Sequence, residues 1–413
     1  MFKLISLFSG GGGLDCGLEA VGFEPRFCTD IDRHSCVTLR HMRLRAHLGA
    51  KGGLQKAQIV HRDINNLEPE EILEKSKLKK GETDLLVGGP PCQSFSVFGR
   101  RQGLNDPRGQ LVWQYLRILK GVLPKVFLFE NVPGLLTIEG GEVFENFLKA
   151  VQKPFNGKSY TVKKYVLEAA RYGVPQFRTR VIVLGVLNGI GLPEPPELSP
   201  LETHCEEHKT NQLDGKLLPF NTVFDALQGL PKIASENAPR NHIGRVHSEP
   251  IINRYRNLAF GERDSSTRIN KLHPERPSYT IIVGSDKGGG KGHVHPFEPR
   301  EVTPRESARM QTFPDWWGFS GTSRHPIRQI GNAVPPVLAA TIGSFIIEEI
   351  FGQTPPKRET VLENLGQKHL LEAEERKIKA LNDEQFSQDN LHKQTVQREF
   401  RRLLANRERF LGL

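Results

Sequence analysis

One cysteine stands directly after a strand-like run and a stiff turn. Residues 84–87 have the apolar character of a buried strand, and Gly88-Gly89-Pro90-Pro91-Cys92 follows them at once. Proline fixes its own φ, so the thiol would sit at a defined point over a sheet edge. A lone cysteine is commonly a buried hydrophobic residue, whereas one presented at a strand terminus can act as a nucleophile. We interpret Cys92 as a nucleophile.

Charged residues follow two later strand-like runs. Residues 126–129 are apolar and Glu130 comes next, so its carboxylate would face the same crevice as Cys92. Arg178 and Arg180 are two residues apart, and in an extended segment both would point to one face. Each of these could instead form an ordinary surface salt bridge. Their joint occurrence in this order favours a catalytic site.

A glycine-rich turn and two acids indicate a nucleoside site. Phe8 is followed by Ser9 and four glycines, between an apolar run and a helical segment, where glycine allows a tight turn and close approach of a ligand. Asp30 lies about twenty residues further on at a strand end, where a carboxylate can accept hydrogen bonds from ribose hydroxyls. Asp63 ends a third strand, within reach of an adenine amino group. NAD is one of several cofactors that this set would suit.

The pattern around these residues predicts an α/β fold with a mostly parallel sheet and helices on both faces. We expect a catalytic and cofactor-binding domain over 1–188 and 330–352, a smaller irregular domain over 189–329, and a charged helical extension over 353–413. The predicted strands are 3–8, 27–31, 58–61, 84–87, 126–129, 160–167 and 180–186, and the predicted helices are 14–21, 34–48, 111–123, 143–151, 303–311 and 337–351.

Composition narrows the class of protein. The 57 basic residues exceed the 47 acidic ones by ten, which favours a polyanionic partner. The five cysteines include no C-x2-C pair, so we expect neither a disulfide framework nor a zinc site. No uninterrupted run of 18 apolar residues occurs, and no signal peptide is expected at the N-terminus. These features predict a cytoplasmic protein with no membrane partner.

Six blocks together resemble the DNA (cytosine-5) methyltransferases of prokaryotic restriction–modification systems. The resemblance covers roughly residues 3–351. The blocks are FSGGGG from Phe8, GPPCQSFS from Gly89, ENV from Glu130, QFRTR from Gln176, RESARMQTFPD from Arg305 and QIGNAVP from Gln329.

The resemblance implies a Rossmann-like fold, S-adenosyl-methionine as methyl donor, no metal, and a flipped-out target cytosine. Cys92 would add to carbon 6 of the ring, Glu130 would protonate nitrogen 3, and Arg180 would bind the carbonyl oxygen with support from Arg178. The cofactor contacts implied are Phe8, Gly10, Gly12, Asp30, Ile31, Asp63, Ile64, Pro90, Leu111 and Asn332. The irregular domain would recognise duplex DNA, and the DNA contacts implied are Ser94, Arg100, Arg101, Thr280 and Lys287.

Two other functions stay open at this point. One is a tRNA cytosine-5 methyltransferase of the same fold, although the Cys-Phe-Thr element usual in that branch is absent. The other is a catalytically silent DNA-binding module. The leading interpretation is a monomeric, nucleoid-associated cytoplasmic enzyme that protects host DNA from a restriction endonuclease acting on the same sequence. The tail after Gln353 is either solvated or packed on the body, and we expect its removal to spare most activity.

Overall fold

A seven-stranded sheet forms the centre of the molecule. The computed structural model describes residues 1–50, 52–91, 110–206, 217–281, 283, 292–322 and 324–382. The strand order is β3-β2-β1-β4-β5-β7-β6. The strands are β1 Phe2–Leu7, β2 Phe23–Asp30, β3 Gln58–His61, β4 Leu85–Gly88, β5 Val126–Asn131, β6 Tyr160–Glu168 and β7 Thr179–Leu187. The predicted α/β fold is confirmed.

Strand β7 runs antiparallel to both of its neighbours, while β1 to β5 are parallel to one another. Glu130 is paired with Ile182, and Leu167 with Arg180. Because β7 is reversed, its amino-terminal end lies at the same sheet edge as the carboxyl ends of β1 to β5. The reversal therefore brings Arg178 and Arg180 to the edge that carries Glu130.

Helices cover both faces of the sheet and bury two separate apolar cores. One core joins the sheet to α1, α2 and α10, and the other joins it to α3, α4 and α5. The helices are α1 Gly13–Ala20, α2 Arg33–His47, α3 Pro69–Ser76, α4 Gln110–Val122, α5 Glu142–Gln152, α6 Val223–Leu227, α7 Glu249–Asn257, α8 Pro304–Met310, α9 Arg324–Asn332, α10 Pro336–Phe345, α11 Arg358–Asn364 and α12 Lys368–Asn382. Such double coverage explains why every residue of β4 and β5 is buried.

The segment between β7 and α8 has little regular structure. Its strands β8 His204–Cys205 and β9 Leu218–Pro219 form a two-stranded sheet, and isolated bridges join other parts of it. The chain returns to the main core before α9, because Phe313, Trp317 and Phe319 are buried in the same cluster as α1 and α10. Thr303 and Glu306 form a capping box that fixes the start of α8.

The helical run Arg324–Ile350 meets the length and apolarity expected of a membrane-crossing helix, but 78% of its most apolar window is buried inside the protein. It contains no uninterrupted run of 18 apolar residues, because polar residues such as Asn332 and Glu348 interrupt the sequence. Its residues Val337, Leu338 and Ile342 pack into the core with α1. Burial to this extent is typical of a helix in the core of a folded domain.

Helices α11 and α12 pack on the body, so the solvated interpretation of the tail is wrong for residues 358–382. Leu362, Leu365 and Leu370 are buried. Lys377 Nζ donates to Asp225 Oδ2 at 2.9 Å, and both side chains are more than nine-tenths buried. Arg358 pairs with Glu374, whose carboxylate also accepts a hydrogen bond from Asn221. The two helices thus tie the irregular segment to the catalytic core.

We predict that a chain ending at Gln353 unfolds at a lower temperature than a chain ending at Asn382, which keeps every contact described for α11 and α12. Removing the partner of buried Asp225 leaves an uncompensated charge worth about 3–5 kcal/mol, and buried leucines are lost as well. We expect the unfolding midpoint to fall by roughly 5–10 °C. Differential scanning calorimetry of the two chains measures it, and equal midpoints would contradict this packing.

Candidate active site

A buried ion pair stands at the edge of the sheet. Glu130, at the end of β5, and Arg180, near the start of β7, are each less than a tenth exposed. Arg180 Nε lies 2.8 Å from Glu130 Oε1. The neighbouring backbones pair in antiparallel register, which holds both side chains at this edge. The two residues that the resemblance assigns to neighbouring atoms of one base are therefore in direct contact.

Burial dominates the electrostatics of this pair. Loss of solvation raises the pKa of Glu130 above its ordinary value, although Arg180 and then Arg178 act to lower it. The same desolvation lowers the pKa of Arg180. A carboxyl group in this environment takes up a proton more readily than an exposed one. That property suits a group that must donate a hydrogen bond to a ring nitrogen.

Arg178 has hydrogen-bonding capacity left over. Its Nη2 donates to Gly331 O at 2.7 Å, while Nε and Nη1 are buried without a hydrogen-bond partner in the described part of the chain. Glu168 anchors the strand entry, since its carboxylate accepts from the Arg178 backbone N–H and from Thr179 Oγ1. Buried donors left unpaired are costly. These two nitrogens could therefore each donate a hydrogen bond to an acceptor that a ligand supplies.

Gly89 allows the chain that leads to Cys92 to pass close to Glu130. A Cβ at Gly89 would lie 2.4 Å from Glu130 Oε2, a separation that real Cβ atoms do not show. Asn131 holds the next residue in place, because its Nδ2 donates to Pro90 O at 2.9 Å and its side chain is buried. Gly89 and Asn131 were not among the predicted site residues. Gly89 lies in the block GPPCQSFS and Asn131 in the block ENV, and this position within a motif was the only sequence feature that could have identified them.

The cofactor residues form a second group at the same edge. Asp30 Oδ2 accepts from the Gly10 N–H at 2.8 Å, and Oδ1 accepts from the Asp32 N–H at 2.7 Å. These bonds fix the carboxylate over the glycine turn, whose strain is visible in the φ of +54° at Phe8. Burial raises the pKa of Asp30, while its two backbone hydrogen bonds act to lower it.

The glycines of the turn serve different purposes. Gly10 has a positive φ, and a Cβ there would meet nothing nearer than Phe8 O at 4.0 Å, so the space above it is open. Gly12 and Gly13 face packed protein instead, because a Cβ would lie 2.6 Å from Trp317 and 2.1 Å from Val334 O, respectively. Open space at Gly10 beside a fixed carboxylate fits a ribose. The predicted contact at Gly12 stays a prediction.

The other predicted cofactor residues have varied exposure. Asp63 caps the turn at Ile64 by accepting from the Asn65 N–H, and Ile64 itself is buried. Ile31 and Asn332 are exposed, Phe8 and Leu111 are partly exposed, and Pro90 is buried. Exposed side chains beside Asp30 and at the end of α9 are accessible to a ligand. Their individual contacts with a cofactor stay predictions.

Several predicted residues lie outside the described part of the chain. They are Cys92, Ser94, Arg100, Arg101 and Lys287. Thr280 is described and exposed, and its Oγ1 donates to Phe177 O at 2.7 Å. The Phe177 N–H also donates to Ser278 O. The irregular domain therefore contacts the segment that carries Arg178 directly.

Arg328 and Asp32 brace the cofactor group and were missed as functional residues. Arg328 Nη2 donates to Asp32 Oδ1 at 2.7 Å, and the other oxygen of Asp32 caps α2 at the Ser35 N–H. The Asp32 backbone in turn holds Asp30. This chain of contacts ties α9 to the Asp30 carboxylate. Sequence spacing could not reveal it, since 296 residues separate the two partners.

Comparison with known proteins identifies the family of the chain. The model of the C-5 cytosine-specific DNA methylase family matches residues 2–348. The chain is 31% identical to the Type II methyltransferase M.XorII of Xanthomonas oryzae over 89% of both proteins. It is 38% identical to M.AquIA of Picosynechococcus over 61% of this chain and 98% of that protein. A putative DNA modification methyltransferase from an E. coli prophage superposes with a TM-score of 0.65 at 28% identity, covering 86% of this chain and 100% of the other.

The chain belongs to the C-5 cytosine-specific DNA methylase family. It is accordingly a DNA (cytosine-5-)methyltransferase, and the resemblance to the restriction–modification type is confirmed. The structure of S. pombe Dnmt2, at 20% identity and a TM-score of 0.56, supports the fold alone.

We predict that Gly89→Ala lowers the methylation rate at least about tenfold, or 1.4 kcal/mol. The added Cβ would push the Glu130 carboxylate away from Arg180. Gly134→Ala is the matched control, because a Cβ there meets nothing within 4 Å. Single-turnover methylation by the two variants measures the difference, and equal rates would show that the close approach at Gly89 is unimportant.

Proposed function

We propose that the protein transfers a methyl group from S-adenosyl-methionine to carbon 5 of a flipped-out cytosine in duplex DNA, through a covalent adduct with Cys92. The observation that carries this proposal is the buried Glu130–Arg180 pair beside unpartnered donors of Arg178. One edge of a cytosine offers a ring nitrogen that needs a proton and a carbonyl oxygen that needs donors. The site offers Glu130 as a proton donor for the nitrogen and arginine N–H groups as donors for the oxygen.

In this mechanism the Cys92 thiolate bonds to carbon 6, and electron density moves to carbon 5. Glu130 gives its proton to nitrogen 3, so no negative charge accumulates on the ring. Arg180 and Arg178 bind the carbonyl oxygen. After transfer, nitrogen 3 returns its proton to Glu130 and carbon 5 loses its proton to solvent. The double bond between carbons 5 and 6 re-forms as Cys92 leaves as the thiolate. Extruding the base costs a few kcal/mol, which binding to this buried site must offset.

The methyl donor, S-adenosyl-methionine, would bind at the second group of residues, which surrounds Asp30 and Gly10. Asp30 is placed for the ribose hydroxyls over the open space at Gly10, and Asp63 lies after the adjacent strand. Ile31, Ile64, Leu111 and Asn332 would line the remainder, with the ring of Phe8 against the adenine. When bound, S-adenosyl-methionine supplies the methyl group as a sulfonium electrophile. No residue is assigned to a metal.

The biological role proposed is protection of host DNA from a restriction endonuclease that cuts the same sequence, by a monomeric, nucleoid-associated enzyme of the cytoplasm. Its relatives named as Type II methyltransferases support this role. The irregular domain over 189–329 would recognise the site with Thr280, and Ser94, Arg100, Arg101 and Lys287 would contact DNA from the undescribed segments. Bisulfite sequencing of DNA from cells expressing the chain identifies the methylated sequence.

We predict that wild-type protein forms a covalent complex with duplex DNA containing 5-fluorocytosine, since fluorine at carbon 5 prevents release of the adduct. Cys92→Ala should form no adduct and no product. Cys205→Ser, which changes a partly exposed cysteine in the irregular domain, should behave like the wild type. Denaturing gels detect the adduct. Trapping by Cys92→Ala would overturn the assignment, and methylation of tRNA in place of duplex DNA would favour the alternative substrate.

We predict an alkaline limit on the rate that reports deprotonation of Glu130. Because the charge of Arg180 lowers the pKa of Glu130, Arg180→Gln should raise that pKa further. In Arg180→Gln, the alkaline limb of the pH–rate profile, where the rate falls, should then lie at higher pH than in the wild type. The maximal rate of this variant is expected to be lower. Arg180→Lys keeps a positive charge and should keep the limb near the wild-type position. Single-turnover pH profiles test this, and identical limbs in all three proteins would contradict it.

A further inference from the structure

Arg117, in the middle of α4, donates hydrogen bonds to the backbone of the turn that follows β3. Its Nη2 lies 3.0 Å from Ile64 O and 2.8 Å from Leu67 O, although 53 and 50 residues separate it from them. Its Nε donates to Gln114 Oε1 on the same helix, and its Nη1 pairs with Glu68 Oε2 at 2.9 Å. The guanidinium therefore joins α4 to the turn through two backbone carbonyls.

The turn is short and lies at the edge of the sheet. It leaves β3, a four-residue edge strand, so a neighbouring strand supports it on one side only. Residues Ile64–Asn66 form one turn of 3-10 helix, and the hydrogen bond from the Leu67 N–H to Ile64 O is long at 3.4 Å. The Ile64 and Leu67 side chains are buried, whereas Asn65 and Asn66 are exposed. Arg117 thus supplements the weak internal hydrogen bonding of this turn.

Asp63 of this turn is the residue predicted to contact the adenine amino group. Asn65 donates to its Oδ1 twice, from the backbone N–H and from Nδ2, both at 2.9 Å. Within the described part of the chain, Oδ2 of Asp63 accepts no hydrogen bond and is left for a ligand. Because Oδ1 is fixed to the turn, the position of Oδ2 depends on the same backbone that Arg117 binds.

Helix α4 is itself fixed to the centre of the sheet. Tyr115 is fully buried, and its hydroxyl donates to Leu128 O of β5 at 3.1 Å. Gly88, at the end of β4, packs against the same ring, since a Cβ there would approach it to 2.9 Å. Arg117 follows Tyr115 by two residues and extends this support to the turn that carries Asp63.

We infer that Arg117 is a positioning residue that sets the preference of the cofactor site for adenine, by fixing Asp63 through the backbone of the turn. The inference rests on the proposed function, which places the adenine amino group against Asp63. That amino group donates a hydrogen bond to a carboxylate oxygen, whereas the carbonyl oxygen at the same position of hypoxanthine is repelled by it. A turn that can shift would lose this discrimination. A purely structural role for Arg117 would lower stability and leave the preference unchanged.

The test measures the dissociation constants of S-adenosyl-homocysteine and of its deaminated form, S-inosyl-homocysteine, by isothermal titration calorimetry. The ratio of the two constants does not depend on how much of the protein is folded. We expect the wild type to bind the adenine form at least about 100-fold more tightly. Arg117→Met keeps the apolar stem but removes every donor, and it should reduce this ratio at least about tenfold. An unchanged ratio in Arg117→Met would overturn the inference.

Two control variants separate the backbone hydrogen bonds from charge. Lys120→Met removes a cation from the same helix that lies over the ring of Phe155, and it should keep the wild-type ratio. Glu68→Gln removes the ion pair of Arg117 but leaves both backbone bonds, and it should also keep the ratio. A loss in either control equal to that in Arg117→Met would overturn the inference. Wild-type protein that binds both ligands equally, or neither, would instead contradict the proposed cofactor site, so the two failures are distinguishable.

Discussion

Burial of the Glu130 carboxylate against Arg180 is the interaction on which the rest of the site depends. A charged carboxylate deprived of water is costly, so burial raises the pKa of Glu130 even with a guanidinium 2.8 Å away. The pair is held between two opposing tendencies, desolvation that favours the proton and a cation that disfavours it. A group in that balance can give a proton to a ring nitrogen and recover it when the ring is released.

The direction of β7 makes that balance possible. A parallel β7 would place its amino-terminal end, and both arginines, at the edge of the sheet opposite Glu130. The antiparallel pairing instead sets Ile182 beside Glu130 and leaves the arginines at the shared edge. Gly89 then lets the segment before Cys92 approach Glu130 without a steric clash. The geometry of the candidate site thus follows from the reversed direction of β7 and from the absence of a side chain at Gly89.

Much of this arrangement could be predicted from the sequence, because it depends on local patterns. The strand Gln58–His61 has the predicted bounds, and Glu130 lies at the end of its strand as predicted. The direction of β7 could not be predicted, since apolar runs look the same in either orientation. Packing of α12 also escaped prediction, because a buried pair such as Lys377–Asp225 joins residues 152 positions apart. The periodicity of apolar residues along the chain does not identify which distant residues pair with one another.

A crystal structure of the protein with 5-fluorocytosine DNA and the demethylated cofactor product tests the central claim most directly. The account predicts the target base outside the helix, bonded to Cys92, with nitrogen 3 within hydrogen-bonding distance of Glu130 and the carbonyl oxygen facing Arg180 or Arg178. A base bound elsewhere, with the Glu130–Arg180 pair closed as in the free protein and Nε and Nη1 of Arg178 still without an acceptor, would contradict it.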